Sequence, residues 1–200
     1  MTGDALHPIV AAAADGELPP WADVSRKRAA HIERVRDLLA EWAGAAGLSD
    51  VDAARWRAVG TLHDALHDAP QDELRTQVPT AFRDLPGKIL HGPACVVRLR
   101  GEGVTDEALL HAINYHTIGH PQLGDIGRAL YAADYLEPGR PEDQPRRAAL
   151  RSRMPDDIDA VVPMILKARL LEQITAGKQL RTETLEFWNA VASVSDERRA

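Results

Sequence analysis

The sequence predicts an all-α fold, and three observations carry that expectation. Between clusters of Gly, Pro and Asp, apolar residues recur with a period near 3.6. The apolar/polar alternation of β-branched residues that marks a half-buried strand is almost missing. Several periodic segments also open on a residue suited to capping a helix.

Taken in order, residues 1–20 read as a short helix ended by "GELPP". Ser25 is an N-cap for a helix running to about Gly47, with Ile32, Val35, Leu38, Leu39 and Trp42 on its buried stripe. The "SD" at 49–50 opens a helix expected to reach Leu66, with Trp56, Val59 and Leu62 on its apolar face, before Pro70 stops the chain. Residues 71–92, rich in Pro, Gly and Asp, predict an irregular connection with at most one helical turn. Pro93 suits the first position of a helix to about Arg100. The acids of "TDEA" begin a helix over 105–115, which "TIGHP" breaks. Residues 123–136 follow as a helix, and the prolines of "EPGRPEDQPRR" predict a loop. Two last helices are expected near 156–176 and 182–194.

Two hundred residues, 44% of them apolar, suffice for one domain with a sizeable core, assigned here to 21–200 behind an N-terminal extension, 1–20. The net charge of −6 argues against a dedicated partner of nucleic acid or anionic membrane. The single cysteine, Cys95, allows no intrachain disulfide, so any metal site must be built from nitrogen and oxygen donors. No basic signal segment or membrane span is legible, and a cytoplasmic location is expected; a homodimer stays open.

Polar residues on apolar stripes carry the functional signal, because burying a polar group without a partner costs roughly 1–3 kcal/mol. His31 shares a row with Val35, Leu38 and Trp42, and His63 one with Trp56, Val59 and Leu66. His116 lies four after Ala112 and seven after Leu109, while Asp134 aligns with Leu123, Gly127 and Leu130. Asp64 sits about 100° round the helix from His63. Taken singly, each is more simply an ordinary hydrogen-bonded or ion-paired core group than a metal ligand. Four helices that each turn one such group inward are better explained by a shared positive charge.

The ordered set His31, His63-Asp64, His91, His116 and Asp134 resembles the H…HD…H…H…D signature of the HD-domain metal-dependent phosphohydrolases. The words "LHD", "HGP", "AINYHTIGHP", "AADYLEPGR" and "TLEFWNAV" resemble, within that group, the bacterial YqeK family of symmetrical bis(5′-nucleosyl)-tetraphosphatases, over about residues 25–195. The resemblance implies an HD helical bundle with a buried dinuclear site. His31, His63, Asp64 and Asp134 would hold one metal, and His91 and His116 a second, with Asp64 shared. It implies iron, with Mn or Co as alternatives, and cleavage of diadenosine tetraphosphate into two ADP. Arg140, in "EPGR", is the candidate phosphate clamp, since a guanidinium fork binds phosphate at two points. Arg146, Arg147 and Arg151 lie nearby and read equally as solvated loop charges.

Two positions depart from the family pattern. His67 stands where "HDxxK" has lysine, and His120 where "TGRP" has arginine. Both are taken as substrate-facing, His67 also as a catalytic contact beside Asp64 and Arg140, and their weaker charge at neutral pH leaves open another nucleotide substrate or a metal-binding regulator without catalysis. His67 could alternatively pair with His63 at i+4 on one ion. His7, His111 and Cys95 are read as bystanders, and the four tryptophans as core.

Overall fold

The computed structural model describes residues 5–197, with side chains to residue 192, and these residues form α-helices, short 3-10 turns and connections without a strand. The helices among the described residues are α1 Pro8–Ala14, α2 Arg26–Ala45, α3 Asp50–Leu62, α4 Gln71–Gln77, α5 His91–Gly101, α6 Glu107–Tyr115, α7 Asp125–Leu136, α8 Gln144–Arg151, α9 Ile158–Thr175 and α10 Thr182–Glu197. The all-α expectation is borne out.

The capping residues do what their chemistry suggests. Ser25, Ser49 and Asp106 accept hydrogen bonds from the backbone N–H groups of Arg28, Asp52 and Leu109, satisfying donors that the first turn leaves free. α2 packs along α3, α1 covers α3, and α7 lies against α2, α3, α6 and α9. The core runs through all of these, from Val10, Ala13 and Ala14 of α1 to Phe187 and Val191 of α10. Trp42 and Trp56 are buried in it, and Trp21 and Trp188 pack against it, as expected of core tryptophans.

Two glycines set helix approaches beside the inward histidines. A Cβ on Gly60 would come within 2.8 Å of the Arg36 Cα, so α2 and α3 meet backbone to backbone there. A Cβ on Gly92 would come within 2.7 Å of the Ile113 carbonyl oxygen, which fixes α5 close to α6.

The element boundaries depart from expectation in four places. α3 ends at Leu62, not Leu66, because the backbone tightens: Ala65 N–H bonds the Leu62 carbonyl and His67 N–H the Asp64 carbonyl. The free backbone groups of this turn pair with a preceding segment, Asp23 N–H with the Ala65 carbonyl at 2.8 Å and Asp68 N–H with the Asp23 carbonyl at 3.2 Å. The connection 71–92 contains α4, which opens after Pro70 with Asp72 and Glu73 in its first turn and buries Leu74, followed by 3-10 turns at Thr80–Phe82 and Gly87–Ile89. α5 starts at His91, two residues before Pro93, where a missing N–H still costs nothing. Finally, Pro145 lies in the first turn of α8 instead of preventing a helix, for the same reason.

Candidate metal centre

The tight turn after α3 is the anchor of the site. Besides its backbone pairs, Asp68 accepts the Ser25 backbone N–H at 2.6 Å, and these bonds hold the start of α2 against His63 and Asp64. Burial opposes ionisation of Asp68, but His67 and Ser25 more than offset it and bring its pKa to about 2. Asp68 is thus a tie between segments.

Five structural elements then deliver six buried side chains that could hold a metal: His31 from α2, His63 and Asp64 from the turn ending α3, His91 from the start of α5, His116 just past α6, and Asp134 from α7. They form two sets of three. Ligating atoms of His31, His63 and Asp134 all lie within 4.8 Å of one another, and so do those of Asp64, His91 and His116. Asp64 stands between the sets: its Oδ2 lies 3.3 Å from His63 Nε2 and 3.5 Å from His31 Nε2, its Oδ1 3.0 Å from His91 Nε2 and 3.5 Å from His116 Nε2.

The outer nitrogens of three rings are tied to oxygens. His63 Nδ1 lies 2.8 Å from the Gly60 carbonyl and His116 Nδ1 2.8 Å from the Ile113 carbonyl, and a carbonyl can only accept, so both rings carry their proton on Nδ1. His31 Nδ1 lies 3.1 Å from Glu137 Oε1. Each ring is therefore turned so that Nε2 points inward, the orientation that metal-ligating histidines use.

The residues fit a metal. His31 Nε2 and His63 Nε2 are enclosed without a hydrogen bond, and His91 Nε2 faces His116 Nε2 at 3.0 Å. Imidazole lone pairs and carboxylate oxygens collected in one buried space need a positive charge to share. The donors are all nitrogen and oxygen; Cys95, buried and raised in pKa by that burial, donates its Sγ–H to the Leu62 carbonyl.

Arginines border this space. Arg28 donates to Asp64 Oδ2 at 2.7 Å, and Arg140 to Asp134 Oδ1 at 2.6 Å. Burial raises the pKa of both aspartates, but surrounding histidines, joined by Arg140 and Arg169 at Asp134, hold each well below the usual carboxylate range. Glu137 is buried, accepts from Arg34 and from the Gly139 N–H as well as facing His31, and is brought to about 2 against the effect of its burial.

The remaining expected contacts fall in separate places. His67 is partly exposed, bonded through Nδ1 to Asp68 at 2.8 Å, with its ring centroid 5.1 Å from that of His91. The end of α3 at Leu62 removes the helical i+4 relation between His63 and His67. His120 pairs with His111, Nδ1 to Nε2 at 3.2 Å, and its ring lies 4.3 Å from Tyr115. Burial lowers the pKa of both histidines of this pair, so at neutral pH His120 does not restore the charge of an arginine. Arg147 is no solvated loop charge: it is buried, stacks over Tyr135 at 3.9 Å and donates to the Tyr135 and Glu142 carbonyls. Arg151 reaches the Leu136 carbonyl, whereas Arg146 stays exposed beside Asp143.

Sequence reasoning passed over Arg28, Glu137 and Arg169. Arg28 precedes His31 by three residues and Glu137 follows Asp134 by three, one helical turn in each case. Arg169 follows Val162 and Ile165 by seven and four on the buried stripe of α9, the same signal that picked out the histidines.

An all-helical bundle that gathers histidines and aspartates from distant segments around one shared carboxylate is a recognisable class of protein. The chain belongs to the HD domain family, whose profile matches residues 28–139. It is similar to proteins named symmetrical bis(5′-nucleosyl)-tetraphosphatase. The one from Staphylococcus aureus is 32% identical over 120 residues, 57% of this chain and 60% of that protein. The one from Bacillus subtilis is 32% identical over 95 residues, 44% of this chain and 51% of that protein. The chain thus spans about half to three-fifths of the length of these relatives. A solved structure from Clostridium acetobutylicum, described as a predicted HD superfamily hydrolase involved in NAD metabolism, superposes with a TM-score of 0.74 at 26% identity, covering 85% of this chain and 91% of that one. The family resemblance read from the sequence words is borne out. Among the described residues, no helix is long and apolar enough to cross a membrane.

Proposed function

We propose that the protein is a metal-dependent phosphohydrolase that cleaves dinucleoside polyphosphates symmetrically, diadenosine tetraphosphate giving two ADP. The observation that carries this reading is Asp64, whose Oδ2 faces His31 and His63 while its Oδ1 faces His91 and His116. That arrangement suits a pair of cations, iron first and Mn or Co next, which nitrogen and oxygen donors accept alike. Such ions, when bound, lower the pKa of water and neutralise phosphate oxygens. The chain's own part is to hold and orient: Glu137, Gly60 and Ile113 fix three imidazoles, while Arg140 at the edge takes a phosphate oxygen and His67 a second contact. His120 offers a hydrogen bond rather than a charge. The substrate is a small nucleotide and not a nucleic acid polymer, the location is the cytoplasm, residues 21–200 form the catalytic domain, and a homodimer is compatible with this reading.

The test is chromatography of products formed from diadenosine tetraphosphate with added Fe(II) or Mn(II). ADP as the product supports the assignment; ATP with AMP, or no turnover, contradicts it. A second reading, an HD hydrolase of another nucleotide, is favoured by the uncharged His120 where relatives of the YqeK type have arginine, and by the description of the Clostridium protein. Turnover of a different nucleotide under the same conditions supports it, whereas bound metal without turnover on any nucleotide points to a regulatory binding protein.

A further inference from the structure

On the outer side of Asp134 lies a cavity of about 350 Å³, bordered by Arg140, Arg147, Arg169, Glu142 and Glu172. Its charges are sorted by depth. Glu142 and Glu172 are exposed, whereas Arg147 is buried and Arg169 Nη1 is enclosed. Arg147 donates from Nε and Nη1 to the Glu142 and Tyr135 carbonyls, which fixes its position at the cavity wall. Arg169 is different. Its guanidinium lies 4.8 Å over the Tyr131 ring and its Nη1 stands 3.8 Å from Asp134 Oδ2, beyond hydrogen-bonding reach, with no hydrogen-bond partner among the described residues.

The Asp134 carboxylate balances the charge of Arg169 from 3.8 Å but leaves Nη1 without a hydrogen bond, and a further anionic oxygen would supply one. Arg140 flanks the opposite oxygen of the same aspartate, so two guanidinium forks stand on either side of Asp134. Planar forks match phosphate oxygens better than a point charge does.

We propose that this cavity is a phosphate-binding subsite, in which Arg169 together with Arg140 holds non-reacting phosphate oxygens of the nucleotide. The inference rests on the phosphohydrolase reading for its choice of anion. Arg169 is the residue that positions the phosphate chain against the metal centre, and nucleotides gain affinity there through their phosphates and not their bases.

The experiment measures binding apart from turnover. ADP, inorganic tripolyphosphate and adenosine are titrated calorimetrically into the metal-loaded wild type, Arg169→Gln and Arg169→Lys, with metal content and circular dichroism recorded for each. Expected is a loss of about tenfold or more in ADP and tripolyphosphate affinity for Arg169→Gln, the size of a lost charge-assisted bond. A smaller loss is expected for Arg169→Lys, with metal content unchanged. Equal phosphate affinity in wild type and variants overturns the proposal, as does wild-type tripolyphosphate binding no tighter than adenosine. Loss of metal with loss of binding also overturns it, because Arg169 then serves only as a counter-ion to Asp134. If Arg169→Gln does not fold, the lysine variant decides by the same criteria. A wild type that binds tripolyphosphate but leaves diadenosine tetraphosphate intact refutes the substrate assignment and not the subsite.

Discussion

His31 Nδ1 lies 3.1 Å from Glu137 Oε1, a contact between the start of the second helix and the residue just past the seventh. Glu137 does not face the shared space, yet it decides which nitrogen of His31 does. Glu137→Ala, which removes the acceptor behind His31, is expected to weaken metal binding by about 10- to 100-fold, with Glu137→Gln, which keeps an oxygen there but loses the charge, falling between it and the wild type. Titration of metal-depleted protein with Mn(II) checks this. Wild-type affinity in the alanine variant contradicts the orienting role.

His67 is the position where the YqeK-type pattern has lysine, and its ring lies 5.1 Å from that of His91 at the edge of the site. His67→Lys is expected to keep wild-type metal content while changing KM or kcat for diadenosine tetraphosphate, since a longer, permanently charged ammonium replaces the imidazole. Steady-state kinetics on the metal-loaded variant reads this directly. Kinetics identical to wild type remove His67 from the site.

How much was legible in the sequence differs by residue. His31, His63, His116 and Asp134 stand out because each places a polar group in an apolar row, and the structure buries all four. His91 has no such row and was found only through the word "HGP". Glu137 lies beyond the end of its helix, where periodicity no longer says which way a side chain turns. Helices α4 and α8 were hidden by Pro70 and Pro145, which read as breakers but sit at helix starts, where a missing N–H is harmless. The end of α3 four residues early has a tertiary cause, the pairing of residues 65 and 68 with Asp23, which no local pattern announces.

Away from the metal centre, Asp106 caps α6 and accepts two bonds from Arg55, at 2.6 and 2.8 Å. Burial raises its pKa, but Arg55 and the Leu109 N–H outweigh this and the net shift is downward. A carboxylate with a depressed folded pKa adds stability in full above its unfolded value near ~4, and loses it as pH falls through the folded value. Asp106→Asn keeps the cap and removes the ion pair, so it is expected to cost roughly 1 kcal/mol, about 2–4 °C in Tm, at pH 7. That gap should hold down to about pH 5 and close below about pH 4. Thermal melts across pH test it, and a gap that widens in acid contradicts the sign.

The claim on which the rest depends is that Asp64 joins two cation sites. The most direct measurement is elemental analysis together with anomalous scattering on crystals of protein loaded with Fe(II) or Mn(II), for wild type and Asp64→Ala. The account predicts two anomalous peaks in the wild type, one among His31, His63 and Asp134 and one beside His91 and His116, with both lost or severely depleted in the variant. A wild type that takes up no metal, or an Asp64→Ala protein that keeps both ions, contradicts it.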